Sequence, residues 1–198
     1  MERKLIRDID RIDDDIIRAK RIIEDRLLSD PDIITALHNE EIGYDDDRKT
    51  EYLNVNIFPF IRIPDTIDAV KNYICYKVDD VEEARFNEMM KVQYVQFVVM
   101  CHSDDVDTPW GMKRHDLLGY LIRDIFQWSN MFGMQLKCIY DQESVTDMNY
   151  QCRTLKFVAT KPNAPYKKSM NNRHEYSRIV EQHVDSTEDL VYGGSDVD

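Results

Sequence analysis

The side chains able to do chemistry crowd into one stretch, Lys91 to Tyr140. Cys101 and His102 close the apolar run KVQYVQFVVMCH, Asp104, Asp105 and Asp107 fill the loop SDDVDTPWGM, and His115 and Asp116 open the run KRHDLLGYLIRDIFQWSN. A strand end followed by an acidic loop is a common place for an active site, so each grouping is weighed for the chemistry it would need. A metal centre from His102, His115 and Asp104 has suitable ligand types but no ligand spacing that marks it. A Cys101–His115 nucleophile pair lacks an oxyanion hole or a nucleophile elbow. Cys101 and His102 are neighbours on a strand, so their side chains point to opposite faces. Asp141 and Glu143 would need a lysine in a defined order to work as a nuclease-like pair, and Lys137 is poorly placed. Asp45, Asp46 and Asp47 lack the glycine and distal glutamate of a calcium loop. Neither GxxxxGK[ST] nor GxGxxG occurs, and six glycines leave little for cradling phosphate. The expectation is a protein without catalytic residues, metal or cofactor.

Composition bounds the partners. The 198 residues carry a net charge of −12, which opposes general affinity for nucleic-acid phosphates or anionic lipid. No apolar run approaches the ~20 residues that span a bilayer. The start, MERKLIRDIDRIDDD, has basic residues but no apolar segment behind them, unlike a secretory signal. Cys75, Cys101, Cys138 and Cys152 are scattered, without CxxC pairing, and read as small buried thiols in a reducing compartment.

The elements that must position these residues follow from periodicity. Residues 2–28 read as a helix whose stripe, Leu5, Ile9, Ile12, Ile16, Ala19 and Ile23, steps by three and four. That stripe would dock either on the chain's own sheet or on a neighbouring subunit. Asp30-Pro31 suits an N-cap and first turn for a short helix, PDIITALHNEE, ending near Gly43. From Tyr52 the period changes to two as far as Ile63, with Pro59 marking an edge strand or a bulge. Ala69 to Val78 would follow as an antiparallel partner. Val92 to Met100 ends fully apolar and reads as an interior strand. Lys113 to Asn130 is the main amphipathic helix, closed at Phe132-Gly133. Met134 to Tyr140, a polar turn at Asp141 to Asp147 and Met148 to Thr160 form a terminal hairpin. Trp110 would either pack over the helix start or meet a partner.

The expected fold is therefore α+β: a mainly antiparallel sheet of about five strands packed on one long helix. N-terminal helices and a charged loop fill residues 1–50, the core domain 51–161, and an extended acidic C-terminal arm 162–198. That arm would order only against a partner.

Over roughly residues 1–161 this arrangement resembles the tail terminator and tail-completion proteins of long-tailed bacteriophages. The stretches that carry the resemblance are the strand YVQFVVMC, the helix RHDLLGYLIRDIF after a polar loop, and the hairpin from QLKCIYD to YQCRTLKFVAT. The long acidic C-terminal extension departs from the minimal members. The resemblance implies a virion protein, made in the host cytoplasm, that forms a homo-oligomeric ring, usually a hexamer, at the head–tail junction. Its partners would be the tail tube protein and a neck or head-completion protein, with DNA passing through an acidic channel without specific binding. Subunit or partner contacts would then fall on Ile9, Ile12, Ile16, Ile23, Asp104, Asp105, Asp107 and Trp110. The reading from another class is an acidic adaptor or inhibitor-type interaction module without catalytic activity.

Overall fold

A computed structural model describes residues 14–43, 47–62, 70–81, 90–132, 135–145 and 149–162. The described residues form three α-helices and a five-stranded mixed sheet: α1 (Asp15–Ser29), α2 (Pro31–Leu37), β1 (Ile57–Phe58), β2 (Tyr73–Val81), β3 (Met90–His102), α3 (Arg114–Phe126), β4 (Lys137–Val145) and β5 (Tyr150–Pro162). The strand order is β1-β2-β3-β5-β4. β3, the most apolar strand, lies at the centre, flanked antiparallel by β2 and β5. The fold class is thus α+β, but α1 with 15 residues is as long as the 13-residue α3, so no single long helix organises the sheet.

Alternation sorts each strand between the two faces. Val95, Phe97, Val99 and Cys101 of β3 join Leu155, Phe157 and Ala159 of β5 in the main core, beneath Leu118, Ile122 and Phe126 of α3. Phe97, Phe126 and Phe157 form its aromatic centre, with ring centroids 4.9 to 6.2 Å apart. Ala19, Ile23, Leu27 and Leu28 of α1 and Ile33, Ile34 and Leu37 of α2 close the same core. Phe58, Cys75, Met100, Tyr150 and Cys152 make a smaller apolar cluster on the opposite face.

Several expectations change. Asp14 is extended and its carboxylate accepts from the Ile16 and Ile17 amides, so α1 starts at Asp15. Ile9 and Ile12 lie outside the described residues, as do residues 44–46 of the charged loop after Gly43, residues 82–89 after Val81 and the C-terminal arm from residue 163. Asp30 caps α2 as expected, but α2 stops at Leu37, where His38 turns left-handed. The run from Tyr52 yields only Ile57–Phe58 as strand. Tyr52 ends a short 3-10 turn, and Asn54 at φ 63 reverses the chain. β1 then pairs with β2 in parallel, not antiparallel. The chain between Phe58 and Tyr73 supplies the dozen or so residues that a parallel connection needs. α3 ends at Phe126, because the Trp128 amide, at φ 61, donates to the Leu136 carbonyl 2.7 Å away instead of continuing the helix. The polar segment after Tyr140 is strand as far as Val145, not a turn.

One irregularity decides which side chains face α3. The β4–β5 register slips between Cys138 and Tyr140, leaving Ile139 as an extra residue. Cys138 pairs with Phe157 on the α3 side. The extra residue reverses the parity, so Asp141 opposite Leu155 and Glu143 opposite Arg153 also fall on that side.

Candidate functional site

The loop between β3 and α3 is held by a buried cation. Arg114, the first residue of α3, is 3% exposed. Its guanidinium donates to the Ala36 carbonyl (2.8 Å), the Asp105 carbonyl (2.6 Å) and Asp105 Oδ1 (2.8 Å). The other Asp105 oxygen accepts from Asn72 Nδ2 (2.7 Å), and His38 Nδ1 lies 3.0 Å from both. Asn72 also donates to the Leu37 carbonyl, Asn56 to the Asn72 carbonyl, and Asn39 to Asn56 Oδ1 at 2.6 Å. Asn39, Asn56 and Asn72 are all buried. This polar chain joins the end of α2, the turn before β1, the start of β2 and the start of α3. Bonding of this kind offsets the cost of burying polar groups, although Asn72 Oδ1 is left without a partner.

On that anchor stands a short finger. Asp107 and Lys113 bridge antiparallel and form an ion pair. Thr108 donates from its amide and its hydroxyl to the Met112 carbonyl. Gly111 at φ 77 makes the turn, in a conformation that a side chain would strain. Trp110 and Met112 sit at the tip, 55% and 49% exposed.

The eight candidate contact residues are therefore divided. Ile23 is fully buried in the chain's own core, and Ile16 is half-buried against it. Asp105, expected at a contact surface, is turned inward to Arg114 and is 16% exposed. Asp104 and Asp107 are exposed. Of the described candidates, Asp104, Asp107 and Trp110 remain on the surface.

A second polar layer lies between α3 and the β4–β5 hairpin. Arg153 passes under Gly119 and binds Asp141 through two bonds, Nε to Oδ1 at 2.8 Å and Nη2 to Oδ2 at 2.9 Å. Its Nη1 reaches the Asp116 carbonyl (3.2 Å) and Asp116 Oδ1 (3.1 Å). Arg123 adds a contact to Asp141 at 3.1 Å. The bonds from Arg153, aided by both guanidinium charges, hold the Asp141 carboxyl below its ordinary range against the opposing effect of burial. Beside this layer an open groove of about 410 Å³ is lined by Arg123, Gln127, Cys138, Ile139, Tyr140 and Asp141.

Among the described residues, His102 and Asp104 join no group of three metal-ligand side chains. His102 Nδ1 accepts from the Asp104 amide, and its ring packs edge-on against Tyr150. Burial pushes the Cys101 thiol up, and the Cys152 thiol up to about 11, so neither is an activated thiolate. The two arginine networks were invisible to periodicity. The only available signals were an arginine amid the apolar alternation of β5 and a lone glycine within α3.

Comparison with curated proteins finds none that matches. The family model YomW matches residues 30–159, which takes in α2, α3 and nearly all of the sheet. That span is well over half of the chain, and the protein belongs to the YomW family.

Proposed function

We propose that the protein acts by binding and assembly: it is a subunit of a homo-oligomeric ring at the head–tail junction of a bacteriophage, where it ends the tail tube and joins it to the neck. The observation that carries this reading is Trp110, a large aromatic ring held 55% exposed at the tip of a finger with a bonded base. Exposed aromatics on a fixed backbone are typical interface anchors, because little conformational freedom is lost when they dock. The outer strand β4 supports the same reading. Its nine residues have one strand neighbour among the described residues, and Ile139, Tyr140 and Val145 are exposed along it. Such an edge is a template on which a second chain can add. The resemblance supplies the place in the virion, and the net charge of −12 suits a passage through which DNA slides without adhering.

Light scattering coupled to size exclusion, with negative-stain electron microscopy of the same fractions, tests the proposal. The expected result is a closed ring, alone or with the tail tube protein, and its loss in Trp110→Ala at unchanged thermal stability. A chain that stays monomeric at high concentration, both alone and beside the tail tube protein, would overturn it.

A further inference from the structure

Three side chains of metal-ligand type meet where α3 begins. His115 and Asp116 come from the first turn of the helix, and Glu143 from β4, with one ligand atom of each within 4.8 Å of the others. The acidic members alone would mean little, since exposed carboxylates often lie close together. His115 is different. It is 7% exposed, its Nδ1 is buried without a hydrogen-bond partner, and its Nε2 lies 3.7 Å from Asp116 Oδ1, too far for a hydrogen bond. Burying an imidazole nitrogen without a partner is costly, and the orphaned Nδ1 calls for an explanation.

We propose that His115, Asp116 and Glu143 bind one divalent transition-metal ion of the zinc class, which clips the start of α3 to the edge strand β4. The geometry fits. Two ligands each about 2.1 Å from an ion, at a tetrahedral angle, lie about 3.4 Å apart, inside the 4.8 Å within which the three ligand atoms gather. Glu143 stands on an exposed strand and closes the remaining distance by rotating its side chain. The donor set points the same way: an imidazole with two carboxylates suits Zn²⁺, whereas Mg²⁺ and Ca²⁺ prefer oxygen alone. Arg153 does not displace the ion, because its charge is already matched by the paired bonds to Asp141. Its single contact to Asp116 Oδ1 orients the ligating carboxylate, as outer partners do around metals. Asp116, Asp141 and Glu143 face Arg123 and Arg153, so the layer retains one uncompensated negative charge for a cation to meet. The β4 bulge is essential, since it places Glu143 on this side of the sheet.

The test uses the tag-free full chain, stripped with EDTA and titrated with zinc chloride by calorimetry, with thermal melting in parallel and Co²⁺ absorption to report the coordination. The expected result is one ion per chain and a raised Tm. Glu143→Gln and His115→Gln should each weaken binding by about 10- to 100-fold, while Asp104→Asn, on the exposed loop, binds as the native chain does. Glu143 is exposed, so its variant folds even if the buried His115 variant does not. No stoichiometric Zn²⁺ binding, or native affinity in folded Glu143→Gln, would overturn the site. An equal Tm rise with Mg²⁺ would overturn its assignment to a transition metal.

Discussion

Gly119 on α3 and Arg153 on β5 occupy complementary space: a Cβ at residue 119 would lie 2.7 Å from Arg153 Nε. The glycine is what lets a long cationic side chain cross under the helix to reach Asp116 and Asp141. The helix accepts about 1 kcal/mol of lost propensity at this position.

Gly119→Ala should therefore be destabilising, even though alanine is the better helix former. The added methyl forces Arg153 off Asp141, and overpacking of this kind costs roughly 1–3 kcal/mol. Urea unfolding measures it. A neutral or stabilising result would mean that Arg153 relocates freely.

Arg114→Ala should cost more, about 3–5 kcal/mol, because it leaves the Asp105 carboxylate without its buried cation. Arg114→Lys should recover only part of the loss, since an ammonium cannot serve the Ala36 and Asp105 carbonyls and the carboxylate with one planar fork. Chemical denaturation of both variants checks the order.

Acid should weaken the α3–hairpin layer through Asp141. Its folded pKa lies below the unfolded value, so the native state binds fewer protons in the acidic window. The stabilisation is then complete above the unfolded pKa of about 3.9, and is lost as pH falls through the depressed folded value. Tm should fall between about pH 5 and 2 more steeply in the native chain than in Asp141→Asn, which is less stable at neutral pH.

Thiol reactivity should separate the cysteines. Cys75, Cys101 and Cys152 are buried and Cys138 is half-buried; burial also pushes the Cys138 thiol up. At pH 8 a disulfide reagent should modify Cys138 alone, and more slowly than a free thiol, with the other three reacting only in denaturant.

What the sequence by itself determined is local. The apolar alternation of Val92 to Met100 marked the central strand, the spacing of Leu118, Ile122 and Phe126 marked α3, and Asp30-Pro31 marked the start of α2, because each depends on residues within a turn or two. The tertiary structure decided the rest. Whether β1 runs parallel to β2 depends on how the intervening chain returns, which no short-range period encodes. Asp141 and Glu143 resembled a turn because strand residues at a sheet edge are polar on both sides, and the one-residue bulge at Ile139 alone settles which way they face. The charges were the least legible. Arg114 and Arg153 are drawn as surface residues by any composition rule, yet both lie inward, because Asp105, across the loop, and Asp141, on the neighbouring strand, are brought in to neutralise them. A buried charge is stable only with its partner in place, and the partner is a fact of the fold.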